Sequence, residues 1–276
     1  MKLLVGSVFI DDSPIQQQWL DLQLKFLKAT TDDFDHVTVL WKRQTNTFFS
    51  KTNVIEPQTK YTLSEAHLKG IEYLVYYFTE RMEEFDAFLI LDFDAFPIKT
   101  GWLPELVRAM EPRPILHSDG TILKELGNSY EVAAVVRSEN LEQRLHDSIF
   151  FIKNQRFLPK VTVMYGQSGI DLKGDPETDV FFPVYENNRH LAFPLVRSNG
   201  YNVHPLGCGV YYDMFYHHCC GSSRPFSLRA LEYWQGTFGQ KISTSRLTQD
   251  LMDHPEEFVA TLAGWSPGQY VKSTEI

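Results

Sequence analysis

The stretch "FDAFLILDFDAFP", Phe85 to Pro97, sets an unbroken apolar run, Ala87 to Leu91, directly ahead of two aspartates one residue apart. A short apolar run bounded by polar residues predicts a strand covered on both faces. In an extended segment alternate side chains share a face, so Asp92 and Asp94 point one way and Phe93 the other. Two hard oxygen donors on one face suit Mg²⁺ or Mn²⁺. The same pair also suits acid–base work or plain strand termination, because Asp disfavours strand interiors. The rest of the chain has to decide among these.

Upstream, the elements alternate. "LLVGSVFI", residues 3–10, is a second short apolar run and ends at Asp11-Asp12. Asp12-Ser13-Pro14 offers a helix start, and Ile15, Trp19, Leu22, Phe26 and Leu27 follow at helical spacing. "HVTVLW", residues 36–41, predicts another strand. Thr62 and Glu65 form a capping-box pattern ahead of a helix whose buried face carries Leu63, Ala66, Ile71, Leu74, Val75 and Phe78. Strand, helix, strand, helix, strand predicts an α/β fold with a mostly parallel central sheet flanked by helices. Ligands of such sheets bind at the carboxyl ends of the strands. Asp11-Asp12 and Asp92/Asp94 both fall at such ends.

The second half is less regular. "EVAAVVR" (131–137) and "SIFFI" (148–152) predict strands, "GQSGIDLKGDPETD" (166–179) a polar loop, and "YNVHPL" (201–206) a short strand. The stretch from Glu177 to Gly200 resumes partly helical spacing. The end predicts a helical tail, with Leu247, Leu251, Phe258 and Leu262 near helical spacing and Pro255 at the start of a second helix. No repeat or low-complexity linker occurs, so a single domain with a C-terminal helical extension is expected.

Bulk properties narrow the function classes. The 276 residues carry a formal net charge of −9, which argues against a nucleic-acid surface. The three cysteines form no CxxC pair, so a disulfide framework is not expected and a reducing, cytoplasmic compartment fits. "MKLLVGSVFIDD" starts like a signal peptide, then meets two aspartates without a small-residue cleavage site. It is read as a buried first strand. No apolar run is long enough to predict a transmembrane helix.

"YHHCCGSSRPF", Tyr216 to Phe226, places four metal-ligating residue types in a row. Adjacent residues do not close one tetrahedral zinc site easily, since structural zinc ligands come in separated pairs. In extended chain His217 and Cys219 share one face, and His218 and Cys220 the other. One imidazole reaching a metal while its neighbours pack is the expected arrangement.

A helix, an apolar strand ending in Asp92-x-Asp94, then Pro97 and "GWLPEL" resembles the metal-binding core of GT-A-fold (Rossmann-like) glycosyltransferases. "HCCGSSRPF" is similar to a late H-x-x-G-x-x-K-P-W pattern of several such families, with His218, Gly221, Arg224 and Pro225 matching, Arg in place of Lys and Phe226 in place of Trp. The likeness covers residues 1–226 and leaves 227–276 as the helical extension. It implies a nucleotide-sugar-binding half over about residues 1–112 and an acceptor half over about 113–226. It implies a Mn²⁺ or Mg²⁺ ion on Asp94 and His218, with Asp92 sharing the metal or reaching the ribose or sugar. It implies a nucleotide-sugar donor, UDP-sugar first, with Arg224 and Gly221 at its phosphates, Asp11 and Asp12 facing the nucleoside, and a glycan acceptor. An ion there would stabilise the departing diphosphate as a Lewis acid.

Inverting transfer also needs a general base for the acceptor hydroxyl. Asp175, Glu177 and Asp179 precede the helix-like stretch. Asp179 is the first choice and Glu177 the second, against a helix-capping or solvated role for both. His146-Asp147-Ser148, Tyr185, Tyr211 and Tyr212 are lesser candidates for the acceptor cleft, with structural roles as their ordinary alternative. Three rival classes remain. A haloacid-dehalogenase-like phosphatase also ends a strand in D-x-D, but Phe96 stands where Thr or Val is usual. A nucleotidyltransferase would need a Gly-rich phosphate loop near the start, and none is seen. A non-catalytic sugar-binding protein of the same fold is the third.

Overall fold

A computed structural model describes residues 1–42, 52–57, 63–112, 115–116, 121–124, 130–137, 144–153, 192–199, 208–218 and 244–263. In chain order the elements are β1 (Leu3–Asp11), α1 (Pro14–Thr30), β2 (Phe34–Lys42), β3 (Asn53–Ile55), α2 (Leu63–Glu80), β4 (Ala87–Asp92), β5 (Ala95–Pro97) and α3 (Trp102–Ala109). These are followed by β6 (Ile115–Leu116), β7 (Ile122–Lys124), β8 (Val132–Arg137), β9 (Arg144–Ile152), β10 (Ala192–Leu195), β11 (Cys208–Tyr211) and β12 (Phe215–His218). Two helices, α4 (Thr244–Asp253) and α5 (Pro255–Ala263), close the described chain.

The central sheet has seven strands in the order β10-β8-β9-β4-β1-β2-β3. All its pairs are parallel except those of β9, which runs antiparallel to β4 and β8. The α/β reading with a mostly parallel, helix-flanked sheet therefore holds. The run β3-β2-β1-β4 has the strand order of a Rossmann half, whose order reverses between β1 and β4. The crevice at the carboxyl ends of β1 and β4 is thus the topological switch point.

The quoted stretch shows why the run is apolar throughout. Phe88 and Ile90 pack into the cluster beneath α2, with Leu4, Val8, Leu74 and Phe78. Ala87, Leu89 and Leu91 face the other way, with Val5, Trp102, Leu106 and Phe215. Each face of β4 meets its own core, so alternation disappears from the sequence. Helix α2 lies close on β1. A Cβ on Gly70 would come within 2.4 Å of Val8 Cγ1, and one on Gly6 within 2.7 Å of Leu74 Cδ2.

Helix α1 covers the opposite face. Trp19, Leu20, Leu22, Leu24 and Phe26 join Phe9, Leu40, Phe96 and Tyr216 in a third cluster, which also takes Leu251, Val259 and Leu262 of α4 and α5. The tail is helical as expected, and Pro255 opens its second helix. Helix α1 begins at Pro14 with Ser13 as its N-cap. β8 and β9 realise the two strands expected around 131–152, and β9 is longer than "SIFFI" because it runs back to Arg144. Thr62, the 166–179 loop and the 201–206 strand lie outside the described residues. Among the described residues no helix is long and apolar enough to cross a membrane.

Candidate metal centre

β4 ends at Asp92, and Phe93 and Asp94 form a turn before Ala95 starts β5. The sequence reading treated this segment as extended. The turn is needed because the chain leaves the central sheet here and enters a second sheet, ordered β11-β12-β5. Within that sheet β12 runs antiparallel to β5 with His217 opposite Ala95 and Tyr216 opposite Phe96. The His218 N–H donates to the Asp94 carbonyl at 3.1 Å. The last strand of the described core is thereby clamped to the D-x-D turn.

This register decides which histidine meets the aspartates. His217 Nε2 lies 3.2 Å from Asp92 Oδ2 and 3.3 Å from Asp94 Oδ1. One ligand atom from each of the three residues lies within 4.8 Å of the others. The sequence reading gave this place to His218. Residues 216 and 218 share the opposite face of β12, so His218 turns away. Its Nδ1 bonds the Tyr216 hydroxyl, its Nε2 lies 3.1 Å from Thr248 Oγ1, and its ring packs 5.1 Å from that of Trp19. One imidazole reaches the carboxylates and its neighbour packs, as expected, but the two roles are exchanged. The adjacent-residue motif carried no information on strand phase, and β5 pairing supplied it.

A fourth side chain adjoins the group. His67 Nε2 of α2 lies 3.3 Å from Asp92 Oδ1, so the Asp92 carboxylate sits between two imidazoles. Its place follows from the Gly70 contact one turn away, which lets α2 approach β1 closely. The sequence reading missed His67. It occupies the stripe continued by Gly70, Ile71, Leu74 and Phe78, and a polar ring on a buried helical stripe is the signal that could have found it.

The donor set fits a divalent ion. Asp94 and His217 side chains are 5% and 3% exposed and Asp92 14%. Two carboxylates brought together out of water need a positive partner, which a cation or an imidazolium supplies. Donors about 2.1–2.3 Å from one octahedral ion, in neighbouring positions, are roughly 3.0–3.3 Å apart. The two observed imidazole–carboxylate separations match this. A set of two carboxylates and one imidazole suits a divalent cation, the carboxylates supplying hard oxygen donors and the imidazole a nitrogen.

No protein-family model matches the chain, and no curated protein matches its sequence. Solved structures do match. One is a glycosyltransferase involved in the glycosylation of the major capsid of PBCV-1, at TM-score 0.42 and 9% identity over 70% of this chain and 82% of that one. Another is the glycosyltransferase GlyE of Streptococcus pneumoniae TIGR4, at TM-score 0.46 and 13% identity over 93% of this chain and 64% of that one. A third, from Desulfovibrio desulfuricans G20, is described as a nucleotide-diphospho-sugar transferase, at TM-score 0.42 and 9% identity over 71% of this chain and 80% of that one.

The remaining sequence candidates divide three ways. Asp11 braces the end of β1, its Oδ1 accepting from the Ser13 N–H at 2.9 Å, an Asx-type turn. Asp12 is buried, 1% exposed, and its carbonyl accepts from Gln17 Nε2 at 3.2 Å. Ser13 occupies the N-cap position, one residue after Asp12. Ser148 and Tyr211 are fully buried, and Tyr212 sits in the β11–β12 turn at φ 52° with its ring edge-on to Phe193. His146 pairs through its backbone with Val135 inside the sheet. Asp175, Glu177, Asp179, Tyr185, Gly221 and Arg224 lie outside the described residues.

Proposed function

We propose that this chain is a divalent-metal-dependent glycosyltransferase that moves a sugar from a nucleotide-sugar donor, a UDP-sugar first, to a hydroxyl of a glycan or glycoconjugate acceptor. The observation that supports the reading is the convergence of Asp92, Asp94 and His217 at the carboxyl edge of the sheet, beside the β1–β4 switch point. In this reading Asp94 and His217 hold Mn²⁺ or Mg²⁺, and Asp92 shares the ion or reaches the ribose or sugar. When bound, the ion supplies Lewis-acid stabilisation to a diphosphate leaving group.

The protein's own groups have distinct tasks. The buried carboxylates and imidazole define where the donor's charged end is held. Arg224 is assigned to the phosphates as a planar bidentate clamp, with Gly221 permitting close backbone approach. Asp11 and Asp12 are assigned to the nucleoside end. Asp179, or Glu177 in its place, takes the proton from the acceptor hydroxyl in an inverting transfer. The nucleotide-sugar half spans about residues 1–112, the acceptor half 113–226, and the extension 227–276.

The test is thermal stabilisation. UDP with Mn²⁺ is expected to raise the melting temperature, and UDP with a chelator is not. No shift with any nucleoside diphosphate and divalent metal would overturn the donor site. Hydrolysis of a panel of nucleotide sugars then identifies the sugar and base.

A further inference from the structure

Helix α1 carries a fully buried glutamine at the heart of its sheet-facing stripe. Gln23 is 0% exposed. Its Nε2 donates to the Asp92 carbonyl at 2.9 Å and to the Ala95 carbonyl at 2.7 Å. Those carbonyls flank the turn that carries both aspartates. Only an NH₂ group can donate to two carbonyls, so the orientation of the carboxamide follows from its partners. The Oε1 on the other side accepts from the Ser7 hydroxyl at 2.7 Å and faces His36 Nε2 at 3.2 Å. His36 is in turn held by Thr52 Oγ1 at 2.8 Å from Nδ1. Both donor directions of the side chain grip the backbone of the D-x-D turn, and its oxygen is held from the opposite side by Ser7.

We infer that Gln23 is a positioning residue for the metal centre: it sets the separation and direction of the Asp92 and Asp94 carboxylates by pinning both ends of their turn to α1. The inference rests on the metal-centre reading of Asp92, Asp94 and His217. The physical reason is that a short turn between two sheets has little regular ladder of its own. A bond to each end converts it into a fixed bracket. Ser7 and His36, on neighbouring parallel strands, fix the bracket's far end. Gln23 touches neither donor nor metal, so its effect on binding runs through the placement of the aspartates.

The experiment uses the full chain and a Gln23→Met variant, which keeps the length and loses every hydrogen bond. Two quantities are read: hydrogen–deuterium exchange of the Asp92–Ala95 amides without metal, and Mn²⁺ affinity from the free-ion paramagnetic signal. Exchange at the turn is expected to accelerate at least tenfold, and Mn²⁺ affinity to fall at least tenfold. A Leu27→Val variant, a core change one turn further along the same helix that removes a methylene and no hydrogen bond to the turn, is expected to lower stability while leaving both readings alone. Turn exchange in Gln23→Met equal to wild type, or equally raised in Leu27→Val, would overturn the positioning role whether or not Mn²⁺ binds. Wild-type protein that fails to bind Mn²⁺ would strike the metal-centre reading, and with it this inference. Should Gln23→Met not fold, Ser7→Ala is the substitute. It loosens the carboxamide from behind, two- to fivefold faster turn exchange is expected, and unchanged exchange counts against the inference.

Discussion

Acidification should weaken this fold before its surface carboxylates titrate, through His36. Burial lowers its pKa from 6.5 to about 3, because the interior disfavours the imidazolium. The ring faces Ser7, Gln23 and Thr52, and Lys28 of α1 and Asp35 of β2 border the adjoining cleft. Below pH 6.5 the unfolded chain protonates this histidine and the folded chain does not. The unfolded state therefore binds more protons, and stability falls as pH falls through the window from about 6.5 to about 3. At about 1.36 kcal/mol per pH unit the whole window is worth roughly 5 kcal/mol. Between pH 7.5 and pH 5 the loss is about 2 kcal/mol, roughly 4–8 °C in Tm for a domain of this size. Urea unfolding of wild type and His36→Gln at pH 7.5, 6.5, 5.5 and 5 isolates the contribution, because the other histidines cancel in the difference. The wild-type-minus-variant stability should fall by about 2 kcal/mol from the highest pH to the lowest. A difference that stays constant with pH would refute the buried neutral imidazole.

The two adjacent histidines should separate cleanly. His217→Ala is expected to weaken Mn²⁺ binding at least a hundredfold by calorimetry, whereas His218→Ala should leave it within a few-fold and cost about 1–3 kcal/mol of stability through lost bonds to Tyr216 and Thr248. The reverse pattern would show that β12 is out of phase with the arrangement described. Gly70→Ala places a methyl 2.4 Å from Val8 Cγ1. It should destabilise the protein by about 1–3 kcal/mol in denaturant unfolding, and a neutral result would mean that α2 does not approach β1 this closely. Asp179→Asn should cut kcat with donor affinity retained, and equal losses in both would remove its assignment as base.

Element type was legible where one residue pattern admitted one solution. The double-sided run Ala87–Leu91 could only be a central strand, since both its faces are apolar. The stripe from Ala66 to Phe78 could only be a helix lying on it. Their alternation gave the α/β class, and the carboxyl-end rule gave the edge at which to look for chemistry. The pair Asp92/Asp94 was found on that logic, and so was the principle that one of the tandem histidines would turn inward.

The partners of that pair were settled only in three dimensions. His217 was chosen over His218 by the pairing of β12 with β5, a contact spanning more than a hundred residues of chain that shifts every side chain to the other face if it slips by one. His67 and Gln23 were readable as polar residues on apolar stripes, but a stripe does not say what it faces. His67 reaches Asp92 because Gly70 and Gly6 let helix and strand close up. Gln23 reaches the turn because Ser7 and His36, on two other strands, leave it a polar pocket. Local patterning by itself determined which segments became strands and helices and which sheet edge would carry acid groups. Long-range register and close approach, which depend on residues far apart in sequence, decided which side chains those acids would meet.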